Sequence, residues 1–489
     1  MNKILEKIFF VTFIIVFFTI IVATLFNTPN ADLLGTRKLV SLFLIISIAL
    51  FSLLHRGLDK LGFFRWNQRS IYYLSIIYFV FLFFFSLYFM QDGYAETSWV
   101  YEGAKILANG DKILNNEYYQ VKFSQFHYLK GILFVTAFFE KMAVILHVNE
   151  KIFLSFVNSV MIATTLPSTY YVCKKMFNDK IAWYSVSMLF VYLPIYFASC
   201  IFYNYTFVYA FPIGILALYI SMDDKKLCMK KLVAISFLIG FGYNIFSVCM
   251  IVLIAILIDI IVLKKNRVNK GILIGIFTLI FTLIFSAFFE KLYNENIYDE
   301  RLYDEFKYPM LESTVYVGLN ADTNGRFSVA DEEYIKSFDN YEAKKQALQQ
   351  QIVYRWEQMD LSDKFTHIVN KGALNFGSGT YYTEWTSNDN LCKDRKLITF
   401  FSKDFDDVKF YRSFYTALNL WLLIGMCVSG VQRRNKSTLV PWLSIFGMLL
   451  TTIITETNPR HVLPYFPFIV ITFAYAFEGI LTKLEKHKR

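Results

Sequence analysis

The sequence predicts an all-α polytopic membrane protein, and two observations support this prediction. First, 56% of the 489 residues are hydrophobic and 19% are aromatic, which is more apolar surface than one soluble core would bury. Second, many apolar runs approach the roughly 20 residues that a helix needs to cross a bilayer. We therefore predict about 12 transmembrane helices, within a range of about 11 to 13, together with juxtamembrane helices and a small extracytoplasmic subdomain.

The predicted spans follow the apolar runs in chain order. They cover residues 8–26, 39–54, 71–90, 152–172, 181–200, 206–222, 232–246, 247–263, 271–289, 412–430, 437–455 and 463–482. The stretch Gly131–His147 is also apolar, but Glu140 and Lys141 at its middle favour a helix in the membrane interface. If this stretch crosses as well, the count becomes thirteen.

Lysine and arginine in short loops indicate the cytoplasmic side of a membrane protein. All the basic clusters fall on one side if Gly131–His147 does not cross, which predicts a plasma-membrane protein with both termini in the cytoplasm. The first apolar run lacks a small-residue cleavage site and is predicted to stay as an anchor. The clusters are Arg56 to Arg69, Lys174 to Lys180, Lys225 to Lys231, Lys264 to Lys270, Arg433 to Lys436 and Lys483 to Arg489.

Three regions follow from this topology. Residues 1–289 form a transmembrane module with an outer loop at 91–130, residues 290–410 an extracytoplasmic region, and residues 411–489 a second transmembrane module with a basic tail. The middle region has 22 acidic and 15 basic residues, so the rest of the chain carries +17. The overall charge of +10 thus reflects membrane topology and lipid contact, not a nucleic-acid partner.

The extracytoplasmic region is predicted to be partly helical. Helical spacing of apolar and charged residues predicts one helix over 331–356. Turn-forming residues flank it at Asn320–Gly325 and Gly377–Thr380.

Several kinds of chemistry have no motif in this chain. Of the six cysteines only Cys392 is clearly in the outer region, so no disulfide framework is predicted. No histidine and cysteine show metal-ligand spacing. The sequence has no P-loop, dinucleotide fingerprint or serine-nucleophile elbow. Soluble nucleotide chemistry is therefore not expected.

A pair of carboxylates marks the candidate site. The chain reaches the outer membrane face near Met90 and places Asp92 and Glu96 directly after it. Acidic side chains at that depth are costly unless they meet water or a partner. Asp92 has a structural alternative, because aspartate is a favoured N-cap and a helix is predicted to start near Tyr94.

Four stretches carry a resemblance to a known family. Glu96–Ala104, with the aromatic residues that follow it, resembles the first outer loop of the GT-C glycosyltransferases. Glu456–Pro464 is similar to the acidic-then-arginine motif before their last helix, and Asn158 lies on a span similar to their third helix. Asn320–Arg326 is similar to an outer-loop sequence of Gram-positive bacterial members. The resemblance is to the family 39 type, the dolichyl- or polyprenyl-phosphate-sugar-dependent, mannosyltransferase-like enzymes.

The resemblance implies a fold, an activity and partners. The donor would be a polyprenyl-phosphate-linked sugar, made by a partner glycosyltransferase, and the acceptor a cell-surface glycan such as a wall polysaccharide or teichoic acid. No cofactor is certain, and a divalent metal, Mg²⁺ or Mn²⁺, stays open. Where relatives carry an aspartate in the next outer turn, this chain has Phe202–Tyr205.

The resemblance and the chemistry together assign roles to six residues. Glu96 or Asp92 would act as the base that takes a proton from the acceptor hydroxyl. Arg460 would hold the lipid phosphate, because its planar fork matches phosphate oxygens; alternatively it pairs with Glu456 or reaches to the interface. The remaining candidates for substrate or lipid-phosphate binding are Lys122, His127 and Glu456.

Two other classes of function stay open at this point. A transporter or lipid-linked glycan flippase would also have many spans, and it would show helices broken at mid-depth and ionisable residues inside the bundle. A non-catalytic component of a cell-envelope assembly complex would need no carboxylate site.

Overall fold

The computed structural model describes residues 2–26, 34–63, 66–89, 95–222, 228–263, 268–383, 406–432 and 438–487. Every regular element in these ranges is a helix, which confirms the predicted all-α class. Short 3₁₀ turns occur at Ile113–Asn115, His127–Leu129, Ser247–Cys249 and Pro459–Tyr465.

The first fifteen α-helices described here belong to the N-terminal module. They are α1 Asn2–Phe26, α2 Arg37–Lys60, α3 Ser70–Tyr88, α4 Glu96–Ala108, α5 Glu117–Gln125, α6 Lys130–Ile145, α7 Glu150–Ala163, α8 Thr165–Met176, α9 Asp179–Val191, α10 Leu193–Ser199, α11 Asn204–Phe207, α12 Phe211–Ile220, α13 Met229–Ile245, α14 Met250–Leu263 and α15 Val268–Asn296.

The remaining described helices form the middle region and the C-terminal module. They are α16 Glu300–Phe306, α17 Met310–Gly318, α18 Val329–Lys336, α19 Tyr341–Gln358, α20 Leu361–Gly377, α21 Asp406–Gln432, α22 Val440–Ile454 and α23 Phe466–His487.

The helices confirm a polytopic membrane protein, and each predicted span contains a helical segment. Within the described ranges, seven helices are long and apolar enough to cross a membrane. An eighth crossing is the pair α9 and α10, bent by 59°, and α14, α22 and the segment Asn204–Ile220 are shorter apolar helices. Seven helices, or eight crossings with the bent pair, meet the length for a full crossing in the described ranges, so the number of twelve stays a prediction.

The stretch predicted to lie in the interface forms α6. It packs between α4 and α7 and is not among the helices long enough to cross. At its first turn Gly131 lies so close to the Asn244 carbonyl of α13 that a Cβ would overlap it. This close approach fixes the start of α6 against α13. The 3₁₀ turn His127–Leu129, which directly precedes α6, is held in place with it.

The middle region has a small core of its own, built from Tyr308, Tyr316, Val317, Ile335 and Leu348. The guanidinium of Arg355 pairs with the carboxylate of Asp331 at 2.6 Å and lies over the Tyr316 ring. These contacts join α17, α18 and α19.

The single helix predicted over 331–356 is wrong. The chain leaves the helix after Lys336 and begins a new one at Tyr341. The reason is Asn340, whose side chain accepts a hydrogen bond from the Ala343 amide and caps α19. The predicted turn at 320–325 is confirmed, with Asn324 and Gly325 at φ +53° and +75°.

The turn predicted at Gly377–Thr380 is present but deeply buried. The Tyr192 hydroxyl, at the bend between α9 and α10, donates to the Gly379 carbonyl at 2.6 Å. A Cβ on Gly379 would overlap the Tyr415 carbonyl of α21, so the absence of a side chain allows this approach. The predicted outer segment therefore enters the bundle between two of its helices.

Candidate functional site

Glu96 is the first residue of α4. The preceding residue, Ala95, has φ +49° and ψ −121°, a conformation that side-chain-bearing residues rarely adopt. Such strain costs on the order of 1–3 kcal/mol and persists only where surrounding contacts enforce it. It sets the direction in which the first turn of α4 presents the Glu96 carboxylate.

Two tyrosines hold the Glu96 carboxylate from opposite sides. The Tyr128 hydroxyl donates to Oε1 and the Tyr203 hydroxyl to Oε2, both at 2.7 Å. Burial raises the pKa of both phenols well above their usual value, so they remain protonated donors. The two bonds hold both oxygens of the carboxylate in place, and each oxygen keeps a lone pair for another donor.

Two tyrosines at the start of α11, Tyr203 and Tyr205, lie between the Glu96 carboxylate and Arg460. The rings of Tyr203 and Tyr205 are 5.7 Å apart, and the Arg460 guanidinium lies 5.6 Å from the Tyr205 ring centroid. Arg460 also donates from Nε to the Asn458 side chain at 3.1 Å. Glu96 and Glu456 are both near enough to Arg460 to interact with its charge.

Glu456 lies between α22 and the 3₁₀ turn that carries Arg460. Burial and, next, the negative charge of Glu96 raise the pKa of Glu456 to about 7, while Arg460 and Lys371 oppose the shift. A pair between Arg460 and Glu456 stays a prediction. The charge of Arg460 interacts with both Glu96 and Glu456.

Lys371 of α20 supports the segment that carries Glu456. Its ammonium is buried and donates to the carbonyls of Gly318 at 2.6 Å and Thr455 at 2.7 Å. Burial lowers the pKa of Lys371 to about 7. This residue was missed in the sequence, because a lysine on a helix has no local signal that separates it from a surface lysine.

The turn at 320–326 holds the same segment from the other side. The Thr457 amide donates to the Gly325 carbonyl, and the Thr457 hydroxyl donates to the Asn324 carbonyl, both at 2.7 Å. The turn predicted from the sequence at 320–325 thus positions the residue next to Glu456.

His127 lies in a separate charged cluster. Its Nε2 is 3.3 Å from the Glu290 carboxylate of α15, and Lys130 contacts both of these side chains. Burial lowers the pKa of His127. His127 and Lys130 are thus bound to Glu290, while their neighbour Tyr128 reaches Glu96, and the sequence-predicted role of His127 in substrate binding stays a prediction.

Lys122 of α5 lies over aromatic rings. Its ammonium is 4.8 Å from the Trp99 ring centroid and 5.6 Å from that of Tyr118. Trp99 is one helical turn after Glu96. Lys122 is therefore near the first turn of α4, and its role in binding phosphate stays a prediction.

Asp92 and Cys392 lie outside the described residues, so the structure places neither of them. In the part of the chain that is described, no three histidine, cysteine, aspartate or glutamate side chains come together as a metal site. Mg²⁺ prefers an octahedron of oxygen ligands. Glu96 and Glu456 alone, with both Glu96 oxygens already accepting from tyrosines, do not match this ligand set.

The chain was compared with known proteins in three ways. No family model matches it, and no curated protein does. Among solved structures it is similar to the archaeal oligosaccharyltransferase AglB from Archaeoglobus fulgidus in complex with an inhibitory peptide and a dolichol-phosphate, with a TM-score of 0.44 and 11% sequence identity. The match covers 85% of this chain and 51% of that one, so this chain aligns with about half the length of its neighbour. A likeness this distant does not establish shared chemistry.

Proposed function

We propose that this protein is an integral membrane glycosyltransferase of the GT-C kind. It transfers a sugar from a polyprenyl-phosphate-linked donor to a cell-surface glycan, a wall polysaccharide or teichoic acid. The observation that carries the proposal is the grouping of Glu96, Glu456 and Arg460 around one tyrosine-rich turn, beside membrane-spanning helices. A carboxylate beside a guanidinium is the pair that such a transfer needs.

The reaction we propose is a single displacement with inversion at the anomeric carbon. The acceptor hydroxyl donates a hydrogen bond to a free lone pair of Glu96, which takes the proton as the new glycosidic bond forms. The bond between the anomeric carbon and the phosphate oxygen breaks, and the polyprenyl phosphate leaves with the electron pair. Arg460 stabilises the charge that develops on this phosphate.

The neighbouring residues keep this arrangement in place. Tyr128 and Tyr203 fix the orientation of the Glu96 carboxylate, so that the proton acceptor does not need to reorganise during the reaction. Lys122 and His127 complete the proposed donor and acceptor contacts, and Asp92 stays an alternative base. The proposed location is the plasma membrane, with both termini in the cytoplasm and a partner enzyme supplying the donor.

A lipid-linked glycan flippase or other transporter is the second candidate. The observation that favours it is the 59° bend between α9 and α10, because transporters often bind their cargo at broken helices. The bend has a structural role here, since Tyr192 at this position holds the Gly379 carbonyl.

The deciding experiment follows the donor lipid in proteoliposomes that contain only the purified chain. A transferase converts the polyprenyl-phosphate sugar to free polyprenyl phosphate when acceptor is added, and mass spectrometry detects both lipids. In cells without the chain we expect one sugar to disappear from a surface glycan while its lipid-linked donor accumulates. Movement of an intact donor lipid across the bilayer would instead establish the flippase. If the donor lipid is neither converted nor moved and the cells keep a normal surface glycan, the chain is a non-catalytic component of a cell-envelope complex.

A pH dependence of donor binding follows from Glu456. Raising the pH through about 7 removes its proton and adds a negative charge beside Arg460. That charge weakens attraction for the donor phosphate, so we expect the KM for the donor to rise across this range. KM for the donor is measured in the wild type and in Glu456→Gln from pH 6 to 8, which is about one pH unit on either side of the raised pKa of Glu456.

The glutamine variant is the control for this dependence, because its side chain stays uncharged. Its KM for the donor should be lower and should change less over the same range, because the Lys371 ammonium, whose pKa burial also lowers to about 7, still titrates there. The assignment is wrong if the two proteins show the same pH profile.

A further inference from the structure

Helix α20 has two faces of different chemistry. Leu361, Phe365, Ile368, Gly372 and Phe376 follow one another at intervals of three and four residues and therefore share one face. His367 and Lys371 are on another face, where both contact the Gly318 carbonyl. The apolar stripe is thus directed away from the polar contacts that support Glu456.

The second half of this apolar stripe packs on the membrane-spanning helices. The Phe376 ring is 5.3 Å from the Phe17 ring of α1, and Gly372 lies against Ile20 of the same helix. Lys371 reaches the Thr455 carbonyl directly after α22. Because Ile20 is within the last two turns of α1, α20 passes across the ends of two apolar helices.

The first half of the same stripe is uncovered. Leu361 is 84% exposed and Phe365 is 61% exposed. They precede Gly372 by roughly 17 and 10 Å along the helix, at 1.5 Å per residue. Two large apolar side chains are therefore exposed on the part of α20 that precedes its contacts with α1.

The end of α19 adds aromatic residues to this exposed edge. Trp356 and Tyr354 are both exposed, and the Lys364 ammonium of α20 lies 4.8 Å from the Trp356 ring centroid. Tryptophan and tyrosine are enriched where a membrane meets water, and lysine places its charge there while its stem covers apolar surface. Trp356, Tyr354 and Lys364 are residue types of a membrane interface, and the same corner also carries the exposed carboxylates of Glu357, Asp360 and Asp363.

We propose that the corner between α19 and α20, from Trp356 to Phe365, lies in the headgroup layer of the bilayer. Leu361 and Phe365 insert among the first acyl carbons, and the Lys364 ammonium meets lipid phosphates. The argument for lipid, and not for a protein partner, is continuity. The stripe that bears these two residues is the one that already packs on α1, a helix long and apolar enough to span a membrane that exposes large apolar side chains such as Phe18 and Phe26.

This contact would fix the height of α20 relative to the membrane. Lys371 is on the same helix and supports the segment next to Glu456, so the position of the candidate site would depend on the bilayer surface. The lipid contact itself does not depend on what reaction the site performs.

The test uses the full chain, purified and reconstituted into lipid vesicles, with its native cysteines replaced. A nitroxide label is attached at Phe365→Cys and, separately, at Leu361→Cys. The first matched control is Asp363→Cys, an exposed position that lies between 361 and 365 in the sequence but on another face of α20. The second is Leu279→Cys, an exposed position on the spanning helix α15. Collision rates with oxygen, which enriches in lipid, and with a water-soluble nickel complex are measured at each label.

We expect the labels at 361 and 365 to collide mainly with oxygen, like the label at 279, and the label at 363 mainly with nickel. Nickel-dominated collisions at all three positions of α20 would overturn the proposal and leave this face for a protein partner.

A second measurement needs no variant. Photoreactive lipids should label the native peptides 356–364 and 365–371 but not 337–344, and equal labelling of none or all of them would also overturn it.

Discussion

Replacing Glu96 by glutamine is expected to lower the rate of sugar transfer by roughly 10²–10⁴-fold, the usual loss when a general base is removed. Glutamine has nearly the same shape, and its carbonyl oxygen still accepts a hydrogen bond from one of the two tyrosines. It has no basic oxygen to take the proton of the acceptor hydroxyl. The measurement is the release of free polyprenyl phosphate from the donor lipid in proteoliposomes.

The matched control is Glu102→Gln on the same helix. Glu102 is exposed, and removing its charge should leave the rate unchanged. Both variants should insert and unfold on heating like the wild type. If Glu96→Gln keeps full activity while folding normally, Glu96 is not the base, and Asp92 becomes the candidate to replace next.

Replacing Arg460 by alanine is expected to lower kcat/KM for the donor by roughly 10²–10³-fold, the cost of removing one preorganised group that stabilises transition-state charge. Arg460→Lys should recover only part of this loss. Lysine keeps the positive charge but lacks the planar fork that binds two phosphate oxygens. Steady-state kinetics at varied donor concentration measures both effects.

The lysine variant also separates chemistry from folding. Removing the guanidinium leaves Glu96 and Glu456 facing each other without compensation, so Arg460→Ala could lose activity by unfolding. Arg460→Lys keeps the compensation, and thermal unfolding in detergent checks both proteins. Arg301→Ala, at an exposed arginine of α16, is the control and should behave like the wild type. Full activity in both Arg460 variants would exclude a role for this residue in phosphate binding.

Much of the fold was predictable because it depends on local patterns. Apolar runs long enough for a helix reveal the spans, and each predicted span contains a helix. The prediction failed where a single polar residue decided the outcome. Asn340 caps a new helix inside a stretch with continuous helical spacing, and spacing alone does not show where one helix ends and the next begins.

The candidate site was predictable only in part. Glu96 and Arg460 each stand beside the end of an apolar run, where a charged residue is conspicuous, and the structure brings them close together. The residues that the prediction missed are Tyr128, Tyr203 and Lys371. One tyrosine of the 33 in the chain and a lysine on a helix carry no local signal that separates them from interfacial or surface residues.

The sequence by itself therefore determined the membrane class, the helical segments and two charged positions, because hydrophobic length and charge are properties of neighbouring residues. Only the tertiary structure decided which groups surround those charges. Tyr203 is 107 positions from Glu96, and Lys371 is 84 positions from the carbonyl it holds. Such contacts depend on how distant helices pack and which backbone groups their ends leave open, and no local pattern encodes that packing.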